Sequence, residues 1–173
     1  MNWPLPSLLT SDRLLLEPLK PRHADEMADV LAPPALYEFI GGEAPTVEQL
    51  RERYARLSVG HSADCSQGWL NWIVRRVDTG VAVGFTQATL EGEAEAAIAA
   101  IAWVITPAHQ GHGFASEAAR AMCSWLAGCG VTRFVAYISP ENRASIGVAR
   151  KLRMRRTETV VDGEIRWDSD PVS

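Results

Sequence analysis

The stretch Gln110-Gly111-His112-Gly113-Phe114-Ala115 contains the residue types best suited to binding a phosphate group. It follows the apolar segment 96–105 and precedes the alanine-rich segment 116–122, whose residues favour helix. This order predicts a strand, a glycine turn and a helix. A helix that begins at a glycine turn offers an anion its unpaired backbone N–H groups and the positive end of its dipole. The alternative is a plain strand-to-helix turn, because glycines often only mark turns.

Two common phosphate-binding motifs do not fit this stretch. Gly113 is not followed by Lys and then Ser or Thr, which argues against a nucleoside triphosphatase loop. Ser116 stands where the dinucleotide-binding motif has a third glycine or an alanine, and no strand-turn-helix unit at the N-terminus frames it. Another kind of phosphate site is therefore needed.

Gln110-x-x-Gly113-x-Ala115 resembles the Gln/Arg-x-x-Gly-x-Gly/Ala signature of the GNAT N-acetyltransferase superfamily. Downstream, residues 140–145 (Pro-Glu-Asn-Arg-Ala-Ser) followed by Lys151-Leu152 are similar to its second landmark. Residues 114–118 (Phe-Ala-Ser-Glu-Ala) resemble the RimJ/RimL-type branch, as does the Thr-x-Arg-Leu-Leu-Leu-Glu-Pro wording near the N-terminus. The resemblance covers most of the chain.

The resemblance implies one domain over residues 1–173, with an α+β fold, a mostly antiparallel central sheet of about seven strands, and four helices. The residue patterns agree with this layout. They predict helices that begin near Pro21, Thr46, Ser116 and Asn142, and strands at 13–18, 69–77, 81–90, 96–105, 132–139, 154–161 and 164–168.

Composition narrows the functional class. The 173 residues are 47% apolar and 22% charged, which is ordinary for one globular domain, and the net charge of −4 argues against a nucleic-acid surface. Neither a membrane-spanning run nor a signal-peptide pattern is evident, so we expect a cytoplasmic protein. Cys65, Cys123 and Cys129 lack metal-ligand spacing, and we expect reduced thiols and no bound metal.

The resemblance implies that acetyl-CoA is the co-substrate. The pyrophosphate would then be bound by backbone N–H groups of Gln110, Gly111, His112, Gly113, Phe114 and Ala115. By position in the family, the end of the fourth strand, Val104 and Ile105, would pair with the pantetheine arm.

The same resemblance places two polar residues beside the cofactor. Asn142 would contact the cofactor arm, although a helix N-cap is an equally good interpretation. Ser145 would lie near the sulfur and act as a catalytic donor to the leaving thiolate. Alternatively, it is a first-turn serine that hydrogen-bonds to the backbone.

The acceptor side is less defined by the sequence. In the resembled family, the first two helices and the segment between them form one wall of the acceptor site. Tyr37, Phe39 and Glu43 are therefore the substrate-binding candidates. Core packing of the two aromatic residues and solvent exposure of Glu43 are the alternatives.

The sequence departs from the family at three positions. Ala149 stands where many members have a tyrosine general acid, and Ala100 where many have a glutamate base. Arg153 replaces a glycine, which suggests a different turn after the helix. The remaining titratable candidates for a base are His61, Asp64, Glu91, Glu93, Glu95 and His109, with His112 as a further one.

We therefore expect an acetyl-CoA-dependent N-acetyltransferase that acts on a primary amine, either a peptide α-amine or a small molecule, by direct attack in a ternary complex. One alternative is a non-catalytic acyl-CoA-binding or regulatory module of the same fold. Another is an interaction domain without cofactor. A homodimer is plausible from family habit.

Overall fold

The computed structural model describes residues 3–92 and 96–171, which form an open eight-stranded sheet and four α-helices. The strands are β1 Leu9–Thr10, β2 Leu14–Pro18, β3 Gly68–Arg76, β4 Ala82–Glu91, β5 Ala97–Ile105, β6 Val131–Ile138, β7 Arg155–Val161 and β8 Glu164–Asp168. The helices are α1 Ala24–Val30, α2 Val47–Leu57, α3 Phe114–Gly128 and α4 Arg143–Lys151. The strand order is β1-β2-β3-β4-β5-β6-β8-β7.

The predicted α+β architecture with four helices is confirmed, and the strand count is eight rather than about seven. The additional strand is β1, in which Leu9 lies opposite Leu16 and Thr10 opposite Leu15 of β2. Two residues are too few to show the alternation by which a strand is recognised in sequence. Short 3₁₀ turns precede α1 and follow β5, at Pro21–His23 and Pro107–His109.

The one parallel strand pair within the described residues lies at the centre of the sheet. β5 and β6 are paired from Ala97 opposite Val131 to Ala100 opposite Val135, and their recorded pairing ends there. β5 continues to Ile105 and stays paired with β4, while β6 continues to Ile138 and stays paired with β8. The two central strands therefore separate and leave a gap in the sheet.

Apolar cores cover both faces of the sheet. The larger one joins β-strand side chains to Phe114, Ala118, Met122 and Leu126 of α3 and to Ala149 of α4. The smaller one packs Ala24 and Met27 of α1 and Leu50 and Tyr54 of α2 against the opposite face. Helices on both faces hold the two separated strands in place.

The start of α2 agrees with its predicted capping box. The Thr46 hydroxyl accepts from the Gln49 backbone N–H at 3.2 Å, and the Gln49 side chain accepts from the Thr46 N–H at 2.9 Å. This reciprocal pair satisfies two N–H groups that the helix itself leaves without partners. The predicted helix start is therefore confirmed.

The structure also bears on membrane-spanning helices, metal sites and cysteines, about which the composition gave expectations. In residues 3–92 and 96–171, no helix is long and apolar enough to cross a membrane. The same ranges contain no cluster of three or more His, Cys, Asp or Glu side chains suited to a metal ion. The three cysteines are free and half-buried.

Arg75 of β3 joins β2 to α1 through two carboxylates. Its guanidinium lies 3.0 Å from Glu17 Oε2 and 2.5 Å from Glu26 Oε1. The hydrogen bond from Arg75 lowers the pKa of Glu26 from its ordinary 4.5. Burial alone would raise the pKa of Glu17, but hydrogen bonds from His23 and Arg75 lower it. Both carboxylates are therefore stabilised in their ionised form.

We predict that Arg75→Met lowers the free energy of unfolding at neutral pH by about 1–2 kcal/mol, between the values for exposed and buried ion pairs. Because both carboxyl pKa values are lowered in the folded state, their contribution is complete above the ordinary value of 4.5. It is lost as pH falls through the folded values. On the acid side, the free energy of unfolding should therefore fall less steeply with decreasing pH in the variant than in the wild-type protein. Urea unfolding between neutral and acidic pH measures this.

Arg51→Met is the matched control, because Arg51 pairs with Asp25 at 3.1 Å on the exposed surface. We expect it to change stability by less than about 0.5 kcal/mol. Equal effects of the two substitutions would contradict a specific role for Arg75.

Candidate active site

The loop between β5 and α3 contains two glycines in the left-handed conformation. Gly111 has φ +79° and Gly113 has φ +80°, a region that L side chains rarely adopt. Gly113 is the N-cap of α3 and has no side chain with which to cap the helix. The first backbone N–H groups of α3 are thus left for a ligand.

Arg13 holds this loop from the turn between β1 and β2. Its Nη1 donates to the His112 carbonyl oxygen at 2.9 Å, and its Nε donates to Glu117 Oε2 at 2.7 Å. Ser11 Oγ and the Arg13 backbone N–H donate to Glu117 Oε1 at 2.7 and 2.9 Å. Burial alone would raise the pKa of Glu117, but these hydrogen bonds lower it. An ionised Glu117 therefore joins the first turn of α3 to the N-terminal strands.

Phe114 fixes the start of α3 in the core. It is 5% exposed, and the Arg13 and Arg76 guanidinium carbons lie 4.8 and 5.6 Å from its ring centroid. The His112 ring stacks on Phe114 with centroids 5.7 Å apart. The side chain of His112 therefore lies against Phe114, and His112 is not among the residues that line the central cleft.

That central cleft, of about 780 Å³, lies where β5 and β6 separate. Val104, Ile105, Gln110, Gly111, Gly113, Phe114 and Ala115 line it, together with Asn142 and Ser145. Gln110 Nε2 donates to the Ile105 carbonyl at 2.8 Å, which ties the loop to the end of β5. The structure thus brings nine of the ten loop, strand and helix residues suggested by the resemblance around the cleft, His112 excepted.

Helix α4 forms the opposite wall. Asn142 Oδ1 accepts from the Ser145 backbone N–H at 3.1 Å, so the N-cap interpretation of Asn142 is confirmed. Within the described ranges, neither the Asn142 amide nitrogen nor the Ser145 hydroxyl bonds to another residue. Both groups line the cleft and are available to a ligand.

Two backbone features lie near the cleft: a close contact at Gly84 and a left-handed arginine after α4. A Cβ at Gly84 would lie 1.9 Å from the Val104 carbonyl oxygen, so only glycine fits where β4 meets the end of β5. After α4, Arg153 adopts φ +60°, the left-handed conformation typical of glycine. The arginine therefore does not force the different turn that we expected.

Glu164, the first residue of β8, is a cleft carboxylate that the sequence interpretation missed. Burial, and to a lesser degree the nearby Asp162, raises its pKa above the ordinary 4.5. Ile165 lies opposite Ile138, the last residue of β6, so Glu164 stands beside the open end of the gap. The sequence predicts the β7–β8 hairpin, but it does not predict that β8 pairs with β6. That pairing is what places Glu164 at the cleft.

The predicted acceptor residues have different locations. Phe39 lines the cleft, together with its neighbours Leu36, Glu38 and Ile40. The Tyr37 hydroxyl donates to the Leu31 carbonyl at 2.7 Å, and Tyr37 does not line the cleft. Glu43 lines a separate hollow of about 490 Å³ beside α2. The structure brings neither Tyr37 nor Glu43 to the cleft: Tyr37 is held by its bond to Leu31, and before Glu43 the chain turns at Gly41 and Gly42, both left-handed.

Most of the other base candidates lie away from the cleft. Asp64 accepts hydrogen bonds from Ser62 and Ser66, which lower its pKa to about 2. His61 lies in the same loop, and its Nδ1 is 2.8 Å from the Ser62 carbonyl oxygen. Glu91 accepts from Gln67. Glu93 and Glu95 lie outside the described residues, and His109 alone of the candidates lines the cleft.

The comparisons with known proteins agree with this geometry. A family model described as an acetyltransferase (GNAT) domain matches residues 13–155. An acetyltransferase (GNAT family) structure from Bacillus anthracis aligns with TM-score 0.73 and 19% identity over 94% of this chain and 96% of that one. A search of curated proteins finds no significant match.

Two solved complexes are also similar in fold. RimL, a ribosomal-protein α-N-acetyltransferase in complex with coenzyme A, aligns with TM-score 0.75 and 18% identity over 95% of this chain and 98% of that one. AAC(6')-Ib in complex with paromomycin and acetyl-CoA aligns with TM-score 0.75 and 18% identity over 92% of this chain and 94% of that one.

We predict that Arg13→Met loosens the glycine loop, because it removes the donor to the His112 carbonyl and the ion pair with Glu117. The Arg13 side chain is 51% exposed, so we expect a loss of stability of only about 1 kcal/mol. The sensitive measurement is hydrogen exchange of the backbone amides of residues 111–117, which should become faster.

Arg76→Met is the control, since Arg76 also lies over the Phe114 ring but forms its ion pair with Asp78. It should leave exchange in the loop close to wild type. Equal acceleration in both variants would show that contact with the ring, rather than the link to Glu117, holds the loop.

Proposed function

Because the chain belongs to the GNAT acetyltransferase family, we propose that it transfers the acetyl group of acetyl-CoA to a primary amine by direct attack in the central cleft. The observation that carries the proposal is the uncapped start of α3, which opens into the gap between β5 and β6. Anion binding at the helix start suits the pyrophosphate of coenzyme A, and backbone pairing along β5 suits its pantetheine arm.

In this proposal the pyrophosphate binds to backbone N–H groups of the loop 110–115 at the positive end of α3. The pantetheine arm pairs with the backbone of β5 near Val104 and Ile105, where pairing with β6 has ended. The free amide nitrogen of Asn142 donates to the arm from α4 while its oxygen caps the helix. One side chain then serves both of the roles considered for it.

Glu164 is the proposed general base. It lines the cleft, and its raised pKa makes it a better proton acceptor than an ordinary surface carboxylate. The ammonium form of the acceptor loses a proton to Glu164, directly or through a water. The neutral nitrogen attacks the thioester carbonyl carbon, the C–S bond breaks, and coenzyme A leaves as a thiolate.

The departing thiolate needs little help from the protein. Free thiols have pKa values of about 8.5, so thiolate is a fair leaving group. The Ser145 hydroxyl lines the cleft and is the proposed hydrogen-bond donor to the sulfur. Ala149, at the position of the family's tyrosine acid, is fully buried in the core, so no acid comes from it.

The acceptor's own pKa affects the cost of the reaction. A lysine amine, with pKa about 10.4, costs roughly 4–5 kcal/mol to deprotonate at neutral pH, but a peptide α-amine costs only about 1 kcal/mol. A single carboxylate base serves the second more easily. The proposal therefore favours a peptide α-amine or a small amine of low pKa.

Acetyl-CoA mixed with a panel of primary amines tests the function. We expect thiol release that depends on the added amine, together with an N-acetylated product identified by mass spectrometry. Binding of acetyl-CoA without amine-dependent turnover of any acceptor would favour a non-catalytic module instead.

We predict that Glu164→Gln lowers kcat by about a hundredfold, a typical contribution of a general base. Because only the ionised carboxylate accepts a proton, wild-type kcat/KM should rise with pH through the raised pKa of Glu164, and the variant should lack that step. The measurement is the pH–rate profile, with acetyl-CoA affinity expected to stay unchanged.

Glu158→Gln is the matched control, because Glu158 is an exposed carboxylate on the neighbouring strand β7, outside the cleft. It should retain the wild-type profile. A Glu164→Gln variant with wild-type kcat and the same profile would exclude Glu164 as the base.

A further inference from the structure

We call acceptor half the part of the cleft lined by β4, by Ala100 and Ala102 of β5, by the segment 36–40, by Tyr137 and by Glu164. Its floor consists of uncharged side chains. Phe85 lies opposite Val104, Gln87 opposite Ala102, and Thr89 opposite Ala100, and directly opposed residues share one face of a sheet. Phe85 and Val104 pack against the core of α1 and α2, so all six side chains face those helices. Ala100 and Ala102 are the smallest of them and leave room above β5.

The walls of this half are apolar and aromatic. Leu36, Phe39 and Ile40 enter from the segment between α1 and α2, and Ile40 is 61% exposed. Tyr137 of β6 lines the other side of the gap and is 39% exposed. Exposed apolar and aromatic side chains around a cleft are typical of a site for an apolar ligand group.

The charges on this half are negative. Glu38 lies on the α1–α2 side, and Glu164 on the β8 side. Tyr137 lies opposite Arg166, and side chains alternate along a strand, so Glu164, Arg166 and Tyr137 share one face. Arg166 is paired with Asp168 at 2.6 Å and does not line the cleft.

The cleft's positively charged groups lie elsewhere. Among the described residues that line it, the basic side chains are His109, beside the glycine loop, and Lys151, at the end of α4. Both lie on the elements that the proposed function assigns to the cofactor. An ammonium group is therefore attracted to the acceptor half. A carboxylate there meets Glu38 and Glu164, and no basic side chain among the described lining residues lies on that half.

We infer that the acceptor is a primary amine on a partly apolar body without a carboxylate, with an amide or apolar group next to the amine. This inference rests on the proposed function. It includes an apolar peptide N-terminus and an amine with an aromatic side group. It excludes free α-amino acids as good acceptors, because like charges close together inside a cleft disfavour binding.

Matched acceptors test this class. Phenylalanine amide and phenylalanine carry an amide or a carboxylate next to the amine, and 2-phenylethylamine lacks both. Because the amide also lowers the pKa of its amine, the comparison of 2-phenylethylamine with phenylalanine isolates the effect of the carboxylate. With the wild-type protein and saturating acetyl-CoA, we expect kcat/KM for the amide and for 2-phenylethylamine to exceed that for phenylalanine by at least about tenfold.

The floor of the cleft supplies a second test. Ala102→Leu narrows the space above β5 and should lower kcat/KM for phenylalanine amide by about tenfold or more, with acetyl-CoA affinity unchanged. Ala55→Leu is the control, because Ala55 is an exposed alanine of α2 that does not line the cleft. It should behave as wild type.

The outcomes distinguish the acceptor class from the acetyltransferase function. Phenylalanine acetylated as well as its amide and 2-phenylethylamine would overturn the acceptor class while leaving the acetyltransferase function intact. An Ala102→Leu variant that turns over phenylalanine amide at the wild-type rate would also overturn it. No acetylation of any amine would overturn the proposed function together with the inference.

Discussion

The separation of β5 from β6 is the constraint on which the rest of the structure depends. Parallel strands normally exchange backbone hydrogen bonds along their length, and buried N–H and C=O groups without partners are costly. Here the recorded pairing ends at Ala100 and Val135, yet both strands continue. Each strand keeps its other neighbour, β4 or β8, so the open edges face each other across a cleft in which a ligand can satisfy them.

Several separate contacts keep this gap in place. The close approach of Gly84 to the Val104 carbonyl holds the end of β5 against β4. Phe114 in the core and the Arg13–Glu117 link fix the first turn of α3 above it. Apolar cores on both faces of the sheet support the two strands. A site built on such rigid elements can position a thioester and an amine for direct attack.

Local sequence signals predicted those parts of the site that depend on neighbours in sequence. The glycine loop, the capping box of α2, the Asn142 cap and the β7–β8 hairpin each depend on a few adjacent residues, and the structure contains all four. Residue patterns along the chain predicted the order of the elements, and the resemblance to a family supplied the expected fold and cofactor.

Long-range placement was harder to predict. Glu164 enters the cleft only because β8 pairs with β6, a contact between residues far apart in sequence. Tyr37 and Phe39 are two residues apart, yet Phe39 lines the cleft while Tyr37 bonds to Leu31. Glu43 lies beyond two left-handed glycines that redirect the chain. No local pattern specifies these outcomes, because they follow from how distant elements pack.

Calorimetric titration of the protein with acetyl-CoA, with Gly113→Trp as the paired variant, tests the central claim most directly. Gly113 has φ +80°, and a side chain there would be strained and would obstruct the start of α3. We predict micromolar binding by the wild-type protein and its loss in a variant that still unfolds cooperatively. A folded wild-type protein that does not bind acetyl-CoA would contradict it and leave the glycines as a turn between a strand and a helix.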